Sequence, residues 1–317
     1  MGCSTHGFAT DENDHDGTPM SAELTLSTSG PAAASPQAPA SRSIWSRMLR
    51  TPRIVIPGAF LLLMAICAIF APLIAPYSYT KLLDAPLLPP SRTYWLGTDD
   101  FGRDELSRLI YGARVSLTVA VVSVTFASTV GTTLGLIAAY YRGWTDTLVM
   151  RMMDILLSFP TIVLAIAIVA MLGPSVRNVI IVIGIIFIPR FTRIVYGATL
   201  STREAEFVQA ARVIGARDRR IIATAILPNV LAPIFVQISL SLGAAILVET
   251  GLSFLGLGAQ PPTPSWGNMV GNARNFMEQV PLLLIAPSVL IGLTILSLNM
   301  MGDGLRDTLD PRLRGSR

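Results

Sequence analysis

The chain has 317 residues, of which 51% are hydrophobic and only 14% charged, with a net charge of +4. A soluble domain carries about 25% charged residues, so the composition excludes an ordinary soluble globular protein. It also excludes a nucleic-acid binder, since no basic stretch is interleaved with aromatics. In a chain this apolar the arginine excess reads as a membrane-orientation signal.

Residues 1–41 are rich in Ser, Thr, Ala, Pro and Gly, with an acidic patch at Asp11 to Asp16. They hold too little apolar surface to offset ordering entropy and read as a disordered cytoplasmic tail. No apolar stretch marks a secretory signal. His6 stands where the myristoylation pattern needs Ser or Thr, and Met20 is an alternative start to Met1. Cys3 and Cys67 are too far apart in character and sequence to suggest a disulfide or metal site. Both histidines, His6 and His15, sit in the tail, and Lys81 is the only lysine.

Residues 42–317 form one predicted membrane domain with six apolar runs, each near the roughly 20 residues a bilayer requires. The first, 54–75, follows Arg42, Arg47, Arg50 and Arg53, which places the N-terminus in the cytoplasm. A polar, mixed-charge outer loop over 77–114 leads to the second run, 115–140. That run is dotted with Ser116, Thr118, Ser123, Thr125, Ser128, Thr129, Gly131 and Gly135, small residues that suit a bundle interior. The third, 155–172, carries Pro160 and opens beside Asp154 and Arg151. The fourth, 176–196, contains Pro189, Arg190 and Arg193 and is expected to leave the membrane there. An arginine-rich inner loop, 199–229, precedes the fifth run, 230–255; a Gly/Pro-rich outer loop over 256–279 precedes the sixth, 280–301. Arg306, Arg312, Arg314 and Arg317 then hold the C-terminus inside. The fold class is therefore an all-α polytopic bundle of six membrane helices.

The inner loop carries the strongest motif: Glu206, then Gln209-Ala210-Ala211, Gly215, and Leu227-Pro228. Helix formers precede Gly215, a glycine permits a turn, and a second helical piece is expected to run to Pro228. Such an elbow under a membrane domain is something another protein can grip. Its order and spacing resemble the signature of bacterial ABC importer permeases, Glu-Ala-Ala, three residues, Gly, nine residues, Ile, one residue, Leu-Pro. Gln209 replaces the Glu and Ala225 the Ile, and the first change removes a charge from the motif. Leu96 to Asp104, Glu249 to Gly258, Pro264-Ser265-Trp266-Gly267 and Leu309 to Arg312 resemble the dipeptide, oligopeptide and nickel permeases, particularly their second permease subunit.

The resemblance implies a type I ABC importer permease in the bacterial inner membrane. It implies a second, homologous permease chain, two ATP-binding subunits that hold ATP and Mg, and an extracytoplasmic solute-binding protein. The loop around Gln209 to Gly215 would seat on an ATPase, and the cargo would be peptides, nickel or a similar small solute. No cofactor is expected in this chain. It has no Walker Gly-Lys-Ser/Thr step, because leucine follows Lys81. It has no Gly-x-Ser-x-Gly elbow and no His-Glu-x-x-His, so neither an enzyme nor a metal centre is expected. Glu249 is an acidic residue deep in the fifth run. It reads as a hydrogen-bonded anchor or as a contact in the translocation path, and it is the one group on which an ion-coupled secondary transporter would depend.

Overall fold

The computed structural model describes residues 52–309, and all regular structure among them is helical. The expected tail over 1–41 and the ending from Asp310 lie outside these residues. An 18-residue helix α1 (Pro52–Ile69) breaks at Phe70 into a single turn, α2 (Ala71–Ile74), where Pro72 sits in the first turn and needs no intrahelical partner. Next come α3 (Glu105–Tyr141), α4 (Trp144–Leu157), α5 (Thr161–Leu172) and α6 (Val176–Arg203). The inner loop contributes α7 (Glu206–Val213), the short α8 (Asp218–Arg220) and a π-helical turn (Ile221–Ile226), which feeds α9 (Leu227–Phe254). Finally α10 (Trp266–Ala273) precedes α11 (Leu282–Leu309).

Four helical stretches are long and apolar enough to cross a bilayer: Glu105–Tyr141, Val176–Arg203, Asp218–Phe254 and Leu282–Thr308. The third expected span is not one continuous helix. Residues 155–172 fall on the end of α4 and the whole of α5, which meet at an 88° bend. Pro160 lacks an N–H and disfavours helical backbone in the residue before it, so the helix stops at Leu157 and restarts at Thr161. The fourth span differs in the opposite way. Its helix passes through Pro189 and runs on to Arg203, with Phe187, Ile188, Pro189, Phe191 and Thr192 held in the core. The segments expected as outer loops hold helices: α3 begins at Glu105, ten residues before the expected Val115, and α10 lies within 256–279.

The core lies where α3 packs along α6, the most extensive helix pair in the molecule. Val179, Val182, Ile183, Ile186, Phe187 and Phe191 recur at helical spacing and are buried on α6. Facing them, α3 buries Ala120, Val124 and Ala127 together with the small residues Ser116, Ser123, Ser128, Gly131 and Gly135. Thr118, Thr125 and Thr129 point outward, so the small-residue face is narrower than the sequence suggested. A Cβ on Gly131 would stand 2.6 Å from Phe191 Cβ and 2.8 Å from the Ile188 oxygen; one on Gly135 would stand 2.7 Å from the Thr192 oxygen. The Ser123 hydroxyl donates to the Ile180 carbonyl at 3.0 Å across the same seam. Elsewhere the Ser239 hydroxyl of α9 donates to the Leu298 carbonyl of α11 at 2.8 Å.

Replacing Gly131 by valine forces its side chain against Phe191 and the α6 backbone, and overpacking of this kind costs about 1–3 kcal/mol. The expected outcome is a lower thermal transition of the purified chain in detergent, with Gly197→Val, where no atom lies within 4 Å of the added carbon, nearly unchanged.

Candidate functional site

At one end of the bundle the C-termini of α3 and α6 meet the start of α9, and the 206–228 elbow is built on this platform. Val208 of α7 is fully buried against Leu136, Tyr140, Val195, Ile221, Ile226, Val230 and Ile234. This second core fixes one face of α7 and leaves the other face outward. The turn after it is a Schellman motif. Gly215 N–H donates to the Arg212 carbonyl at 2.9 Å and Ala216 N–H to the Ala211 carbonyl at 3.1 Å. Gly215 has φ +77°, a conformation a side chain would strain. The chain then reverses into α8, where Asp218 accepts the Tyr140 hydroxyl at 2.7 Å. Arg212 lies over the same tyrosine ring, 5.3 Å from its centre.

Pro228 does not end the second helical piece, contrary to expectation. Asp218–Phe254 is one helical rod, with Leu227 and Pro228 inside it. The wider π turn over Ile221–Ile226 directly before Pro228 gives the ring room that an α turn would deny at the preceding carbonyls.

The motif residues divide by position. Glu206, Gln209, Ala210, Gly215 and Pro228 are exposed, while Ala211 and Leu227 are half-buried and pack on the second core. Gln209 turns back to its own segment, its Nε2 donating weakly to the Arg203 carbonyl at 3.4 Å. Ala211 and Gly215 line a cleft of about 280 Å³ together with Ile214, Ala216, Arg220, Ile221, Thr224 and Ala225. Glu206, Gln209, Ala210, Leu227 and Pro228 are not among the lining residues. Two side chains that the motif did not single out dominate the tip: Val213 is 87% exposed and Ile214 82%. The signal was present in the sequence as an apolar pair inside an otherwise charged loop, directly before the glycine.

Glu249 lies at the other end of the same rod and is 1% exposed. Its Oε1 accepts the Ser253 hydroxyl at 2.7 Å, and Ser116 of α3 and Ser265 before α10 flank the carboxyl. Trp266, fully buried, donates its ring N–H to the Leu109 carbonyl at 3.1 Å and its backbone N–H to Ser116 Oγ at 3.3 Å. Glu249 therefore sits in a closed joint of three elements, which favours the anchor reading. Asp154, beside Arg151 in sequence, accepts Arg193 of α6 at 2.6 Å, and both side chains are about half exposed.

Tyr140→Phe removes the hydroxyl that braces α8 and leaves the ring in place. A hydrogen bond to a charged group contributes about 1.5–3 kcal/mol. Amide exchange over 206–226 is expected to quicken while exchange in α3 and α6 stays slow, as read by mass spectrometry on the chain in nanodiscs.

Residues 131–315 match the family model described as binding-protein-dependent transport system inner membrane component. Residues 40–90 match the N-terminal TM domain of oligopeptide transport permease C. The chain is 48% identical to the dipeptide transport system permease protein DppC of Alkalihalophilus pseudofirmus, over 89% of this chain and 92% of that one. It is 44% identical to the glutathione transport system permease protein GsiD of Pectobacterium atrosepticum, over 86% and 91% of the two chains. Among solved structures, an inward-facing MetNI methionine ABC transporter chain shares the fold with a TM-score of 0.54, at 18% identity, covering 64% of this chain and 97% of that one. The chain belongs to the family of binding-protein-dependent transport system inner membrane components: it is a membrane-spanning permease subunit of an ABC importer.

Proposed function

We propose that this permease carries peptides into the cell, paired with a second, homologous permease chain above two ATP-binding subunits. Those subunits hold ATP and Mg and perform the hydrolysis, and an extracytoplasmic solute-binding protein delivers the cargo. The peptide assignment rests on the relatives named for dipeptide and glutathione transport.

The observation that carries the mechanism is the elbow. It presents an exposed apolar tip, Val213 and Ile214, beside a cleft lined by small residues, and its inner face is locked onto the ends of α3, α6 and α9. An exposed apolar patch on a rigid base is what a partner surface buries. The π turn joins the elbow directly to α9, so a push on the tip is transmitted to a membrane helix. Closure of the ATPases on nucleotide would then bias the bundle between two packings, which a ligand can do only by binding them unequally.

Orientation follows from the charges and the packing together. Arg142, Arg151, Arg203, Arg212, Arg217, Arg219 and Arg220 gather at the elbow end, the cytoplasmic one in this reading. A Cβ on Gly304, near the end of α11, would touch Ile54 at the start of α1, so both ends of the described chain lie on one face. The segments 77–104 and 255–281 then face outward.

Gly215→Asp and Ala211→Asp each place a charge in the cleft and are expected to abolish ATP-dependent dipeptide uptake in vesicles while the chain still inserts at normal levels. Wild-type uptake by either variant would sink the coupling role. Uptake should survive collapse of the proton gradient with ATP maintained; loss under that treatment would favour ion coupling.

A further inference from the structure

Opposite the elbow, the outer segments form a compact charged cluster at the head of α3. Asp99 organises it. Its Oδ1 accepts the N–H groups of Phe101 and Arg103 at 2.9 Å each. Its Oδ2 accepts Arg103 Nε and Nη2 at 2.7 Å and Arg108 Nε at 3.1 Å. Arg108 Nη1 reaches the carbonyls of Tyr79 and Pro262 at 3.4 Å. Asp104 caps α3, accepting Ser107 N–H at 2.8 Å and its hydroxyl at 2.6 Å. Both arginines are thus committed to Asp99, and Asp104 to Ser107.

Glu105 is not. It is 3% exposed, and its carboxyl, which has no hydrogen bond or ion pair among the described residues, opens onto a small pocket. Arg108, one turn away on the same helix, is turned to Asp99 instead. The Glu105 side chain lines a pocket whose other walls are Asp99, Asp100, Arg108, Asn272 and the apolar group Met269, Ala273, Phe276 and Leu283. Asp100, 3.9 Å from Arg103, is the second carboxyl without a close partner. Burial, and then the charge of Asp99, pushes its carboxyl above the ordinary range, although Arg103 and Arg108 pull the other way.

We propose that this pocket binds a single primary ammonium group, held between the carboxylates of Glu105 and Asp100. A buried carboxylate with no partner is costly, and an incoming cation with hydrogen-bond donors satisfies it. Space for a water-sized occupant is about 20 Å³, enough for one such head group. The Met269, Phe276 and Leu283 wall suits the carbon that carries the nitrogen. A metal ion fits less well, since no group of three His, Cys, Asp or Glu among the described residues is arranged to hold one. The amine has two sources in an importer: the free amino terminus of a transported peptide, or a lysine of the delivering protein. The proposal rests on the importer reading for that supply, and on the pocket alone for the chemistry.

Two measurements test it. Methylammonium is expected to raise the thermal transition of the purified permease assembly in nanodiscs, tetramethylammonium to leave it unchanged, and Glu105→Gln to remove the difference. Glu105→Asp, which keeps the charge, should retain part of the shift, and Asp100→Asn should weaken it at a half-exposed position. No selective shift in the wild type, or an equal one in Glu105→Gln, overturns the site. In the second, Glu105→Gln is expected to raise the KM for uptake roughly ten-fold, the scale of a lost charged hydrogen bond. A rise for a free dipeptide but not its acetylated form assigns the amine to the substrate. An equal rise for both, with weaker binding of the solute-binding protein, assigns it to a lysine. An unchanged KM for both overturns the proposal. Absence of any ATP-dependent uptake in the wild type counts against the importer reading instead, and leaves the methylammonium result to stand or fall by itself.

Discussion

The seam between α3 and α6 is the contact on which the remaining architecture depends. Gly131 and Gly135 let the two backbones approach until there is no space for even a single added carbon. In lipid, helices gain nothing from hiding apolar surface, since the tails are as apolar as leucine, so close packing and hydrogen bonds across the seam supply the association. The elbow and the ion cluster are attached to opposite ends of this pair. The C-terminal ends carry the second core that seats the elbow. The head of α3 carries the ion cluster and the groove into which Trp266 fits.

Much of the fold was legible in the sequence because membrane solvation leaves few alternatives: backbone groups must be paired internally, and apolar runs of the right length become helices. The runs at 230–255 and 280–301 landed close to α9 and α11. What composition could not reveal was where a proline is tolerated. Pro160 and Pro189 each follow an apolar residue and precede a polar one, yet one splits a helix and the other sits inside one. The difference lies in tertiary packing, because Phe187, Ile188, Pro189 and Phe191 are buried while Pro160 is exposed. The outer segments hid their structure for another reason. Their order comes from hydrogen bonds and ion pairs between residues distant in sequence, such as Arg108 with Pro262, and these leave no periodic trace.

The elbow motif was readable as a pattern of small residues and a glycine, and its turn obeys the chemistry that spacing implied. Its outward surface was less visible. Ala210 and Ala211 belong to the motif, but the most prominent side chains are Val213 and Ile214. Glu249 reads from the sequence as either an anchor or a contact in a transport path, and the serines around its carboxyl favour the first.

The Glu249 joint and the elbow are opposite ends of a single 37-residue rod, Asp218–Phe254. At 1.5 Å per residue the rod is about 55 Å long, so pivoting it by some 5° about its middle sweeps each tip sideways by roughly 2 Å. For a rod that moves as one piece, a displacement smaller than a methyl group's width at the elbow end is matched, reversed in direction, at the Glu249 joint. The geometry is that of a seesaw: no hinge within the membrane is required for one face to loosen as the other tightens.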